Sequence, residues 1–239
     1  PEYRLPKAVL ARELELIERL GVKFQLNSPV GDGLGLNDLA HQYDAVFLAI
    51  GTWKEAWVYL PGTELTGVLP ALPFLEGVAR DEKLPVGRRV VVIGGGNAAI
   101  DSARSARRTG AEVTVIYRRE RKDMPAIPEE TLAAEHEGVQ FLFLATPHRI
   151  VGDKQGAVKA IEVVKTKLGE FDTSGRRRPV PTDEVVRFEV SRLIVDPERF
   201  AAFSGIRSLP FEAGKHGRIA VKVIDPRGNE VIRVIKLGE

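Results

Sequence analysis

The sequence predicts an α/β fold, and three consecutive features in the middle of the chain indicate it. A β-branched run at residues 90–93 is followed directly by three consecutive glycines. An alanine-rich segment, Asn97–Arg108, then has helical spacing and ends near Gly110, where a helix C′ residue belongs. A second β-branched run at residues 113–116 completes the strand, tight turn, helix and strand of one βαβ unit.

The glycines fit the G-x-G-x-x-G/A pattern of dinucleotide-binding turns as Gly94, Gly96 and Ala99. Gly94 permits the sharp turn out of the strand, and Gly96 has no Cβ to keep a pyrophosphate from the backbone. Free amides and the positive end of the helix dipole would then face the phosphates. The pattern predicts a Rossmann-like three-layer nucleotide-binding domain, with ligand contacts from Gly94, Gly95, Gly96, Asn97 and Ala98.

The tip of the second strand is expected to select the nucleotide. An NAD site usually places Asp or Glu there, whereas here Tyr117 is followed by Arg118 and Arg119. A planar, permanently charged guanidinium suits a 2′-phosphate, so the sequence favours NADP(H) over NAD(H). The alternative is that these basic residues form a solvated surface cluster.

A third apolar strand is predicted at residues 139–144, ending at Ala145 and Thr146. Ligands of such sheets lie beyond the carboxyl ends of the strands, so these two residues should converge with the glycine turn and the arginines. The short β-type runs that follow predict a β-meander packed on this domain: 150–152, 158–165, 185–190 and 193–195. The arginines at 176–178, in its loop, are interpreted as a solvated turn, and residues 223–235 as a final hairpin.

The part of the chain before residue 88 is less regular. Helices are predicted at residues 7–20, 39–42 and 71–78, and strands at 22–26 and 45–50. The second of these strands stops at Gly51. Prolines punctuate residues 53–87, which are interpreted as a connection into the nucleotide domain.

Composition excludes several kinds of chemistry. The 239 residues carry a net charge of only +2, which gives no argument for nucleic acid, and no apolar run long enough to cross a bilayer is present. A cytoplasmic protein is therefore expected. The absence of cysteine excludes a dithiol centre or a cysteine-ligated cluster within this sequence, and the four histidines lack metal-ligand spacing. No catalytic triad or carboxylate pair stands out, so no catalytic side chain and no metal ligand are predicted.

Five motifs, in this order, resemble one family: PEYRLPK at 1–7, YDAVFLAIGT at 43–52, VVVIGGGNAAID at 90–101, YRRERKDMPA at 117–126 and SGRRRPVP at 174–181. The resemblance is to the small (beta) subunit of NADPH-dependent glutamate synthase and related flavoprotein oxidoreductases with two dinucleotide domains. It implies an NADPH domain inserted into a FAD domain. NADPH would deliver hydride to the flavin, and electrons would pass through iron–sulfur clusters to a redox partner subunit.

The resemblance also assigns residues. Ala49, Ile50, Gly51 and Thr52 would form the strand where the flavin domain meets the nucleotide domain. Arg118 and Arg119 would clamp the 2′-phosphate, and Met124, Pro125 and Ala126 match the family without an evident role. The family's separate flavin fingerprint and its N-terminal cysteines are missing from this sequence, so this chain is expected to bind FAD poorly or not at all.

The implied organisation has four parts: a partial FAD-domain-like remnant at 1–52, the connection at 53–87, the NAD(P)H-binding domain with its β-meander at 88–195, and a C-terminal hairpin of unclear role at 196–239. The leading hypothesis is the NADPH-binding electron-input part of a flavin-dependent oxidoreductase. A non-catalytic NADP(H)-binding or partner-docking module without flavin is the alternative, and an α/β scaffold with an empty pocket is the third.

Overall fold

The computed structural model describes residues 1–31, 33–51, 60–171, 175–196, 218–224 and 230–236. Residues Pro1–Ala202 form one compact unit and Phe203–Glu239 a second. The helices are α1 (Lys7–Arg19), α2 (Leu36–Gln42), α3 (Ala71–Ala79), α4 (Asn97–Arg108) and α5 (Pro128–His136). The strands are β1 (Val68–Pro70), β2 (Arg89–Ile93), β3 (Glu112–Tyr117), β4 (Gln140–Phe143), β5 (Ala145–Gly152), β6 (Val158–Phe171), β7 (Arg177–Glu189), β8 (Arg192–Val195), β9 (Arg218–Ile224) and β10 (Glu230–Lys236).

A five-stranded parallel sheet of order β1-β8-β2-β3-β4 lies at the centre of the first unit. Alternate residues of β2 face its two neighbouring layers, as the two-residue period of a strand requires. Val90 and Val92 join a core with α3, α4 and α5 on one face. Val91 and Ile93 join a second core, with Ile161 of β6, on the other face. The predicted α/β class with a three-layer Rossmann-like arrangement is confirmed.

The predicted β-meander is the antiparallel sheet β5-β6-β7. Its second and third strands are much longer than predicted, at 14 and 13 residues, and form one extended hairpin. The distal half of this hairpin is mostly exposed, so it lacks the apolar alternation by which a strand is recognised from sequence. The final hairpin predicted near the C-terminus corresponds to the antiparallel pair β9 and β10.

Two segments that were assigned outside the central sheet belong to it. Residues 193–195, predicted as part of the meander, lie in β8, which pairs in parallel with both β1 and β2. A short apolar run suits either kind of sheet, and pattern alone cannot separate the two. Residues 60–87 were interpreted as a connection, yet they supply β1 to the sheet and α3 to the helical layer.

The two strands predicted before residue 52 are absent from the structure. Residues 22–26 and 45–50 have no ladder partner among the described residues and are not strands. Their apolar side chains are exposed, Leu26 by 78% and Phe47 by 91%. A strand depends on cross-strand pairing and on a covered face, so an apolar sequence without either stays irregular. Within the described ranges, no helix is long and apolar enough to cross a membrane.

The N-terminal segment is tied to α4 by charged and aromatic contacts. Arg4 Nε donates to Asp101 Oδ1 at 2.6 Å, and the Tyr3 hydroxyl donates to the Asp101 carbonyl oxygen at 3.1 Å. The guanidinium groups of Arg104 and Arg108 each lie 4.2 Å from the centroid of the Tyr3 ring. Burial raises the pKa of Tyr3 to about 12. Residues 1–4 are thereby fixed against the helix that carries the glycine fingerprint.

Glu137, just beyond α5, is expected to make the stability of the fold depend on pH. Burial raises its pKa, but hydrogen bonds from Arg108 and Arg104 outweigh that effect and lower the pKa to about 2. A carboxylate whose pKa falls on folding stabilises the fold above its unfolded value of 4.5 and loses this contribution as pH drops towards 2. Glu137→Gln should therefore lower the free energy of unfolding at pH 7, and its difference from the parent should shrink between pH 4.5 and 2.

Urea unfolding at a series of pH values measures this difference. Glu112→Gln is the matched control, because Glu112 pairs with Arg88 at the surface, where both side chains are mostly exposed. The control should change stability little at any pH. A Glu137→Gln deficit that stays constant from pH 7 to pH 2 would contradict the assignment.

Candidate dinucleotide site

The turn after β2 has no room for a side chain at its first position. Gly94 has φ +139°, and a Cβ there would lie 2.9 Å from Asp196 Cβ and 3.1 Å from Ala99 Cβ. The backbone conformation and the neighbouring atoms both require glycine. The turn also lies beside β3, since Gly94 N donates to the Ile116 carbonyl oxygen at 3.1 Å.

The N-terminus of α4 is open to an anionic ligand. Its N-cap residue is Gly96, with extended dihedrals of φ −87° and ψ 178°, and no side chain caps the helix. A glycine N-cap supplies no capping side chain of its own to the first amides of α4, while the helix dipole adds positive potential there. These features fit the pyrophosphate of a dinucleotide, which is the group that the glycine pattern predicts.

Tyr117 fills the space that Gly95 leaves. A Cβ at residue 95 would lie 2.5 Å from Cδ2 and from Cε2 of the Tyr117 ring. The Tyr117 hydroxyl donates to the Asp123 carbonyl oxygen at 2.7 Å. Burial raises the pKa of Tyr117, and the nearby charges of Arg119, Arg176 and Arg118 oppose that rise. Gly95 is thus a glycine because an aromatic ring of the neighbouring strand packs against it.

A strap formed by residues 124–127 closes the outer side of the turn. Ala126 N donates to the Gly95 carbonyl oxygen at 3.0 Å, and Ile127 N donates to Asn97 Oδ1 at 3.0 Å. This contact gives the Met-Pro-Ala motif the role that the sequence left open. It also assigns Oδ1 of Asn97 to the strap.

Three arginines line one cleft at the carboxyl edge of the parallel sheet. Arg118 and Arg119 follow β3, as predicted, whereas Arg176 precedes β7 in the segment interpreted as a solvated turn. That interpretation is wrong for Arg176, because the long hairpin carries it back to the sheet edge. Arg119 is 4% exposed and its Nε donates to the Arg177 carbonyl oxygen at 2.8 Å, so part of its guanidinium holds the hairpin.

The predicted site residues divide into three groups. Seven of them line the cleft: Gly94, Gly95, Gly96, Tyr117, Arg118, Arg119 and Ala145. Asn97 and Ala98 begin α4 beside it, and Thr146 follows Ala145 in β5 without lining it. Ala49, Ile50 and Gly51 are exposed, irregular and not part of the cleft, and Thr52 lies outside the described residues.

Asp196 also lines the cleft, and the sequence reasoning missed it. It follows β8 directly, is 5% exposed, and its amide donates to the Ile93 carbonyl oxygen at 2.9 Å. The signal was available, because a residue just past the carboxyl end of a parallel strand belongs to the ligand edge. Asp196 was not predicted as a site residue because β8 was assigned to the meander.

The parallel sheet, its glycine turn and the uncapped helix define a Rossmann-like domain of the kind found in nucleotide-dependent oxidoreductases. Residues 22–187 match the family model described as pyridine nucleotide-disulphide oxidoreductase. The chain belongs to this family, and the resemblance drawn from its motifs is confirmed.

Two curated proteins similar to this chain are named as subunits of NADP-dependent oxidoreductases. The chain is 42% identical over 225 residues to the NADP(+)-dependent formate dehydrogenase subunit beta of Moorella thermoacetica, covering 92% of this chain and 32% of that protein. It is 39% identical over 207 residues to the glutamate synthase [NADPH] small chain of Escherichia coli, covering 78% of this chain and 44% of that protein. The chain thus spans less than half the length of these curated relatives.

Solved structures agree on the fold. FprA, a Mycobacterium tuberculosis oxidoreductase, matches with a TM-score of 0.61 and 20% identity, covering 87% of this chain and 60% of that chain. The structure of the same protein in complex with NADPH matches with a TM-score of 0.59 and 21% identity, covering 77% and 55%. At this identity the likeness supports the architecture alone.

Proposed function

We propose that this chain binds NADP(H) as the electron-input part of a flavin-dependent oxidoreductase and positions NADPH for hydride transfer to FAD. The observation that carries the proposal is the convergence of an uncapped helix N-terminus and three arginines on one cleft. Relatives named for NADP(+) or NADPH support the choice of nucleotide. The family supports oxidoreductase chemistry over a non-catalytic binding module.

In this proposal the protein binds and orients, and the hydride chemistry belongs to the cofactors when they are bound. Gly94 and Gly96, with the amides of Asn97 and Ala98, hold the pyrophosphate. Arg118 carries most of the contact with the 2′-phosphate, because Arg119 also supports the hairpin. Ala145 lines the same cleft, and Thr146 beside it remains a predicted contact.

The flavin side of the proposal rests on the family. The sequence contains one glycine fingerprint, so a FAD bound in the family's manner requires a second dinucleotide turn that these 239 residues lack. We propose that residues Ala49, Ile50, Gly51 and Thr52 lie at the boundary with such a flavin domain, where the resemblance to the family places them. The names of the relatives as subunits and small chains support a redox partner subunit, similar to the large subunit of glutamate synthase. We propose a cytoplasmic location.

Calorimetric titration of the purified chain with NADPH and NADH tests the proposal. We expect NADPH to bind at least about tenfold more tightly, since a charge-assisted contact contributes roughly 1.5–3 kcal/mol. A yellow protein with flavin absorbance would place FAD in this chain, whereas a colourless protein that binds NADPH would place FAD elsewhere. Failure to bind either nucleotide would contradict the proposal and leave an α/β scaffold.

A further inference from the structure

We propose that Arg176 binds the 2′-phosphate of NADP(H) together with Arg118 and so determines the nucleotide specificity of the cleft. Arg176 precedes β7 in the meander and lies 58 residues after Arg118 in the sequence. The inference deepens the proposed function and rests on it. It assigns part of the specificity to the hairpin and not only to the tip of β3.

The hairpin is anchored at the edge where β3 and β4 end. Thr166 N donates to the Leu144 carbonyl oxygen at 2.7 Å, and Thr166 Oγ1 donates to the Arg118 carbonyl oxygen at 3.0 Å. The Arg177 carbonyl oxygen accepts from Arg119 Nε at 2.8 Å. These three hydrogen bonds join both hairpin strands to the end of the parallel sheet, beside the cleft that Arg176 lines.

The three consecutive arginines at residues 176–178 have different surroundings. Arg177 donates two hydrogen bonds across the hairpin. Its Nε donates to the Gly169 carbonyl oxygen at 2.9 Å, and a terminal guanidinium nitrogen donates to the Leu168 carbonyl oxygen at 2.5 Å. Arg178 is exposed. Arg176 is half-buried and lines the cleft with Arg118 and Arg119. The hairpin therefore uses one arginine to hold its own strands, leaves one in solvent and presents one to the ligand edge.

The charge of the cleft suits a phosphate monoester. Arg118, Arg119 and Arg176 all line this one cleft, and their charges all oppose the rise in the pKa of Tyr117 beside them. Among the described residues that line the cleft, Asp196 is the single acid, and it lies beside Gly94, at the turn. A phosphate monoester carries roughly −1.5 to −2 charges at pH 7, so two guanidinium groups match it better than one.

The test compares Arg176→Gln with Arg178→Gln, which removes the same charge two residues away, and with Arg118→Gln. Calorimetry of the full chain measures its affinities for NADPH and NADH. The same titrations with adenosine 2′,5′-bisphosphate and with AMP measure the contribution of the 2′-phosphate alone. We expect Arg176→Gln to weaken NADPH and the bisphosphate by roughly 10- to 100-fold. NADH and AMP should change less than about twofold, and Arg178→Gln should bind as the parent does.

Equal weakening of NADPH and NADH by Arg176→Gln would overturn the inference, because the residue would then support the turn as a whole. Unchanged NADPH affinity would overturn it as well. If, in either case, Arg118→Gln weakens the binding of NADPH more than that of NADH, the proposed function stands without Arg176. If the parent chain binds no nucleotide, the proposed function fails first and the inference fails with it. Arg176→Lys, which keeps the charge without the planar fork, should recover part of the lost affinity.

Discussion

A single methyl group at residue 95 is expected to abolish nucleotide binding. In Gly95→Ala the new Cβ would lie 2.5 Å from two carbons of the Tyr117 ring. The ring is buried and its hydroxyl donates to the Asp123 carbonyl oxygen, so it cannot move without breaking that hydrogen bond just before the strap. A shift of about 1 Å in the turn would misplace the phosphate-binding amides, so NADPH affinity should fall more than about 100-fold. Calorimetry measures this loss, and urea unfolding should show a cost of about 1–3 kcal/mol.

A second substitution at the ring separates this clash from a general defect. Tyr117→Leu removes the ring edge, and Gly95→Ala combined with it should be more stable than the sum of the two single variants predicts. The double variant should also recover part of the NADPH affinity. Full affinity in Gly95→Ala alone would contradict the packing argument, and additive effects of the two substitutions would place the damage elsewhere.

The centre of the fold could be predicted because its signals are local. Residues 88–119 contain a strand, a turn, a helix and a strand without interruption, and each step has its own pattern in sequence. The bounds of α4 were predicted to the residue. Gly94 and Arg118 lie at the ends of β2 and β3, as predicted, because these positions follow from the local pattern, and their contacts with a nucleotide stay predictions.

The parts that were missed depend on contacts between distant segments. Arg176 lines the cleft only because the two long strands β6 and β7 bring it to the edge of the parallel sheet. No sequence pattern near residue 176 predicts that position. Asp196 depends on where β8 pairs, which is a choice between two sheets for the same four residues. Residues 45–50 have a strand's composition but no partner within the described chain, so composition misled there.

Replacing Arg118 with glutamate is expected to lower NADPH affinity by about one to two orders of magnitude. The substitution removes a charge-assisted contact, typically worth roughly 1.5–3 kcal/mol, and puts a negative charge beside the 2′-phosphate. NADH lacks that phosphate, so its affinity should fall less. Titration of both nucleotides into parent and variant at constant ionic strength measures the two changes, because salt would screen the charge.

Arg121→Glu makes the same change in net charge three residues further along the chain and serves as the control. Arg121 pairs with Glu135 at 2.5 Å, its side chain is 51% exposed, and it does not line the cleft. Reversal there alters the overall charge without touching the proposed contact, so it should change the affinity for either nucleotide only slightly. If Arg118→Glu weakened NADPH and NADH equally, Arg118 would act on the shared pyrophosphate or on the fold. The preference for a 2′-phosphate would then have to come from Arg119 or Arg176.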